Sequence, residues 1–181
     1  GVSGDRRRLE AEKSVLEGAL KALRTNGARL EPVSLPDFPV EAISFALRAE
    51  AAASFDDLTR NRGIDQLTRQ NASAWPNTFR TSRFIPAVEY IRAQRARTLL
   101  MRQMDELMSS YDVFVAPTQS ASLGITNLTG HPALVLKAGF VDGMPVGIMI
   151  TGRLYDEATV LRVALAYEQA TPWHTMHPTL I

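Results

Sequence analysis

Residues 126–153 read TNLTGHPALVLKAGFVDGMPVGIMITGR. The stretch holds few charges, five glycines (Gly130, Gly139, Gly143, Gly147 and Gly152) and two separated apolar runs. Two strands account for the runs. PALVLKAGF and PVGIMITGR are joined by Val141-Asp142-Gly143-Met144, and Asp-Gly between apolar runs is a strong hairpin signal. The glycines are spread among strand ends, where one backbone approaches another closely.

Working outward, Asp156 caps a helix over EATVLRVALAYEQA, and a Pro- and His-containing tail follows. Upstream, YDVFVAPT predicts a short buried strand ended by Pro117, with a loop between it and the hairpin. Before that strand a long helix is expected over roughly 84–110. Its apolar residues Ile85, Val88, Ile91, Leu99, Leu100, Met104 and Leu107 make a broad, drifting stripe, which suits a helix lying on a sheet. Residues 59–82 are polar and mixed, and predict short helical pieces and loops with a break at Trp75-Pro76. Asp37 and Pro39 open a helix holding Ile43, Leu47, Ala51 and Leu58. ARLEPVSLP, residues 28–36, alternates briefly and predicts a strand closed by Pro36. The chain starts on an amphipathic helix carrying Leu9, Leu16, Leu20 and Leu23, with Ser3 or Asp5 as its N-cap and Asn26-Gly27 as its stop. Helices alternating with apolar strands argue for an α/β layer. Residues 1–110 are thus mainly helical with one strand, 111–170 hold strands and the final helix, and 171–181 are a tail.

Composition excludes several functions. Twenty basic residues against nineteen acidic leave a net charge of +1, so bulk charge makes no case for nucleic acid or an anionic membrane. No apolar run approaches the ~20 residues of a membrane helix. GVSGDRRRLEAEK enters a charged pattern directly, without a signal-peptide core, and the compartment stays open. The chain has no cysteine, hence no disulfide, thiolate zinc site or cysteine nucleophile.

Nucleophilic chemistry also lacks its parts. A catalytic serine needs a base and oxyanion donors, yet neither G-x-S-x-G nor S-x-x-K occurs. The lysines are Lys13 and Lys21 on a charged helix face, and Lys137 inside a strand. His174 and His177, spaced i, i+3, fit a surface or docking role or half a metal site, with no carboxylate nearby. His131, before Pro132, is a lone base at most. Arg92, Arg95, Arg97 and Arg102 interleave with Glu89, Asp105 and Glu106 as a solvated helix face. Trp75 and Phe79 in WPNTFR are core anchors or a pocket wall. The residues supply no self-sufficient catalytic constellation, and no catalytic residue, metal or cofactor is assigned.

The motifs do carry a resemblance. Asn127-Leu-Thr-Gly-His-Pro-Ala133, the strand to Gly139-Phe140, the turn Gly143-Met-Pro-Val-Gly147 and the helix start Asp156-Glu157-Ala158 resemble the C-terminal part of the amidase signature family. Tyr111-Asp112 followed by Pro117-Thr118 resembles that family's Tyr-Asp…Pro-Thr strand. The likeness is specific over about 111–170. Over 1–110 it rests on element order alone.

The resemblance implies an α/β fold, a mixed β-sheet covered by helices, and a hydrolase of carboxylic amides. It implies a Ser–cis-Ser–Lys triad and no metal or organic cofactor. The triad comes from the family's N-terminal part, and neither of its segments is in this sequence. What this portion would contribute is substrate-pocket lining: Thr126, Asn127, Thr129 and Gly130 near the active site, with Trp75, Arg83 and Arg80 from the segment that sets substrate preference. The bland reading of Asn127 and Thr129 is satisfaction of loop backbone groups. The segment between Pro117 and Asn127 contains no Asp or Glu. The family's glutamine-using amidotransferases resemble one another in having an acidic residue there, so its absence favours a stand-alone amidase.

Three functions follow. One is the C-terminal part of an amidase, inactive alone, acting on a small amide when completed, without nucleic acid or membrane. Another is a binding or regulatory module on the same fold, and the third is a fragment of a tRNA-dependent amidotransferase. An interrupted sheet would leave an open strand edge, so the chain is expected to associate with itself or with the missing half.

Overall fold

A computed structural model describes residues 2–178. Residues up to 36, together with those from 103 on, form one compact unit, and residues 37–102 form a second.

In the first unit, β1 (Val113–Pro117), β2 (Ala133–Val141) and β3 (Met144–Gly152) make a three-stranded antiparallel sheet in the order β1-β3-β2. The hairpin forms where Asp-Gly places it. Asp142 and Gly143 have φ of 51° and 75°, the left-handed pair that a tight two-residue turn between twisted strands requires. Register runs from Val141 opposite Met144 to Ala133 opposite Thr151, with a bulge between Lys137 and Gly139. The run Ile148–Gly152 is buried without alternation because both of its faces are covered. Ile148 and Ile150 point one way, Met149 and Thr151 the other, and none of the four is more than 2% exposed.

Two helices pack on the Ile148 face. From α1 (Val2–Thr25), Ala19 and Leu23 join Ala138, Ile148 and Tyr167 in one cluster. From α8 (Glu157–Ala170), Val160 and Ala164 close over Ile150. The Asp156 carboxylate caps α8 as expected, accepting the Thr159 N–H at 3.2 Å. The start of α1 differs from the expected one. The helix begins at Val2, so Ser3 and Asp5 fall inside its first turn, and the Ser3 side chain lies outside the described residues. Thr179, Leu180 and Ile181 of the expected tail also lie outside them.

Two further expectations are corrected. Residues 28–36 form neither helix nor strand and belong to no sheet. Pro32 and Pro36 lack N–H donors, and a strand exists only where a neighbour supplies the ladder. The expected loop after β1 contains a helix, α7 (Ala121–Thr129).

In the second unit, the helix opened by Asp37 is broken into α2 (Val40–Ile43), α3 (Phe45–Ser54) and α4 (Asp56–Arg60). Trp75-Pro76 starts α5 (Trp75–Ser82) rather than ending anything, because proline suits a first helical turn, where no intrahelical N–H bond is lost. The long helix α6 (Ala87–Met108) stands within the expected span, its residues from Gln103 on belonging to the first unit.

Candidate functional site

The pocket residues expected in the first unit gather at the C-terminal end of α7. Gly130 caps the helix with φ of 79°, and its N–H donates to the Thr126 carbonyl at 2.8 Å. The chain then enters β2, and the Pro132 carbonyl accepts the Gly152 N–H at 3.0 Å, tying the helix end to β3. The four residues divide into two pairs. Thr126 and Thr129 are buried, and their hydroxyls donate to the Leu123 and Ile125 carbonyls at 3.3 and 3.0 Å. Asn127 and Gly130 are exposed.

His131 adds a feature that spacing did not reveal. Its Nδ1 lies 2.8 Å from Thr129 Oγ1, the residue is buried, and Nε2 has no partner. Since the Thr129 hydroxyl already donates to Ile125, it accepts from Nδ1–H, which leaves Nε2 as a bare lone pair. Burial pushes the imidazole below its usual range near 6.5, with Asp105 pulling partly the other way. At the other end of α7, the Ser120 and Ser122 hydroxyls sit 2.6 Å apart, and Ser120 donates to the Pro117 carbonyl at 2.8 Å. No motif in the sequence marks this pair, and no base touches it among the described residues.

No lysine activates a serine among the described residues. Lys137 Nζ donates to the Met176 carbonyl at 2.5 Å and holds the tail, while Lys13 pairs with Glu17 at 3.8 Å and Lys21 is exposed. His174 accompanies the same tail, its Nδ1 at 3.2 Å from the Thr171 carbonyl. Among the described residues, no group of three or more His, Asp or Glu is placed to hold a metal.

The second unit holds the remaining candidates. Trp75 is half exposed and tilted against Phe79, with centroids 5.5 Å apart, and Phe79 stacks on Phe55 at 5.1 Å. Arg83 is ion-paired with Asp56, and Arg80 with Asp65 at 2.7 Å. Hydrogen bonds from Arg62 and then Arg80 hold the Asp65 carboxyl below the usual carboxylate range.

No family model matches the chain. Over 90% of its length it is 32% identical to the A component of glutamyl-tRNA(Gln) amidotransferase from Chloroflexus aggregans, and 34% identical to that from Exiguobacterium sibiricum. It spans only 41% and 42% of those proteins. Among solved structures, its fold is similar to a bacterial aryl acylamidase of the amidase signature enzymes, with a TM-score of 0.73 at 22% identity. That match covers 92% of this chain and 41% of the acylamidase. The corresponding amidotransferase component of Thermotoga maritima gives a TM-score of 0.61 at 24% identity, over 93% of this chain and 41% of that one. The order of motifs, the fold and these relatives agree: the chain is similar to a C-terminal portion of amidase signature enzymes.

Proposed function

We propose that this chain is the part of a carboxylic-amide hydrolase that completes the sheet and the substrate pocket, with the Ser–cis-Ser–Lys triad carried by the family's preceding segment. One observation carries the reading: nine-tenths of the chain matches proteins of which it spans only 41%. The side chains support it, because no serine, lysine and second hydroxyl meet among the described residues. Thr126, Asn127, Thr129 and Gly130 are the proposed pocket wall in the first unit. Asn127 and Gly130 face outward, and the two threonines brace the helix behind them. Trp75 and Arg83 are the proposed contribution of the second unit.

The substrate would be a small amide, and the chemistry needs no cofactor. The partner would be the preceding segment, or a second copy of this chain in its absence. β1 and β2 each have one edge outside the ladder, and Val135 on β2 is 58% exposed, a surface that association would cover. No helix is long and apolar enough to cross a membrane among the described residues.

A fragment of a tRNA-dependent amidotransferase is the second reading. The sequence relatives favour it, and the absence of Asp and Glu between Pro117 and Asn127 weighs against it. A segment exchange tests the first reading. The matching C-terminal segment of the aryl acylamidase is replaced by this chain, and hydrolysis of a panel of anilides and aliphatic amides is followed. The exchange protein is expected to turn over at least one amide, and the acylamidase lacking the segment none. A folded exchange protein inert on the whole panel would count against the proposal.

A further inference from the structure

The second unit contains an open cavity of about 760 Å³ between α3 and α5. Arg48 is the one charged residue on its wall, and no carboxylate lines it. The polar side chains around it are mostly committed elsewhere. Ser44 donates to the Glu41 carbonyl at 3.0 Å, Ser73 to Asn71 Oδ1 at 3.0 Å and Asn77 to the Ala72 carbonyl at 2.8 Å. Thr78 and Thr81 donate to the carbonyls of Ala74 and Asn77 at 3.3 and 3.0 Å.

Three donors remain without a partner among the described residues: the Arg48 guanidinium, the Ser82 hydroxyl and the Trp75 indole N–H. Ser82 is 8% exposed and lines the cavity, so its hydroxyl is open to water or a ligand there. The acids Asp56 and Asp65 of this unit are neutralised by other arginines and do not line the cavity. The site therefore combines free donors, one uncompensated positive charge and no competing acid, and the ligand it suits is an anion rich in acceptors. Trp75 adds a flat apolar surface. Its ring is held by Phe79, itself stacked on Phe55, so little side-chain freedom is lost when a planar group lies against it.

We propose that this cavity binds a small carboxylate bearing a flat apolar group. Arg48 takes the carboxylate, Ser82 supplies a second donor and Trp75 the stacking surface. The inference does not rest on amide hydrolysis, because it concerns binding by this chain alone.

Benzoate is the probe and benzamide its uncharged counterpart. The indole N–H signals are followed by 1H–15N NMR, with Trp173→Phe used to assign the Trp75 signal. Benzoate is expected to shift the Trp75 signal saturably below about 10 mM, and benzamide to give no saturation in that range. Arg48→Met is expected to weaken benzoate about tenfold or more. Arg48 is exposed, so this variant keeps its fold, and an unchanged melting temperature confirms that. Ser82→Ala is expected to weaken benzoate by a smaller factor. No saturable shift, equal binding of benzamide, or unchanged benzoate affinity in Arg48→Met would each overturn the proposal.

Discussion

Replacing Gly152 with valine is expected to destabilise the first unit by about 3 kcal/mol, and Gly152→Ala by about 1–3 kcal/mol. A Cβ at residue 152 would lie 2.4 Å from Val160 Cγ2 and 3.4 Å from the Asp156 carbonyl oxygen. Neither neighbour yields easily. Val160 is 3% exposed and β-branched, so it has few other rotamers to adopt. The Asp156 carbonyl belongs to the cap of α8, and moving it away would open the contact of Val160 and Ala164 with Ile150. The shift of the urea midpoint measures the loss. Trimming the neighbour separates a clash from a general loss: Gly152→Ala should cost less in a Val160→Ala background than alone. Gly18→Ala is the control, since Gly18 lies within α1 with open space around it, and this change should be neutral or stabilising. A Gly152→Ala protein as stable as the parent would show that α8 does not sit on this backbone.

The second large effect is expected on acidification. His131 is buried with Nδ1–H bonded to Thr129 and Nε2 unpartnered, so a second proton would place an unmatched charge in the interior. Its folded pKa is lowered by burial, against an unfolded value near 6.5. The sign follows from proton uptake. Well above 6.5 neither state holds the extra proton, and stability is independent of this group. Below 6.5 the unfolded chain takes it up first, so stability falls as the pH drops towards the folded pKa and levels off beneath it. Asp105 on α6 is the charged group that bears on the ring, and its attraction for the imidazolium moderates the fall. Urea midpoints between about pH 7.5 and 5.5 should decline in the parent and flatten in His131→Phe. Parallel slopes in the two proteins would mean that another group governs the acid limb.

The fold is legible in the sequence where the signals are local. Asp142-Gly143 needs only its own backbone to specify a hairpin, and Asp156 needs only the next turn to cap a helix. Residues 28–36 read as a strand and are not one, because a strand is a property of two segments and alternation says nothing about whether a neighbour is present. The helix α7 is hidden for a different reason. Ser120 makes no side-chain cap bond to it, and Gly124, Thr126 and Thr129 are weak helix formers, so its stability comes from burial of Ser122, Ile125, Thr126 and Thr129.

The candidate site is legible as a motif but not as an arrangement. Asn-Leu-Thr-Gly marks the segment, yet only the folded chain divides it into outward Asn127 and Gly130 and inward Thr126 and Thr129. The same holds for Arg48. As one arginine on an alanine-rich helix it carries no signal, and its interest arises from donors committed elsewhere and acids already paired with other arginines.

The central claim is that the family's chemistry lies outside these 181 residues. Amide hydrolysis by the purified chain alone tests it most directly, using anilides, primary aliphatic amides and glutamine, with product release followed over many hours. No release above the uncatalysed rate is expected. Turnover by the chain alone that disappears on Ser120→Ala, Ser122→Ala or Lys137→Met would contradict it, because the nucleophile or its base would then lie within this chain.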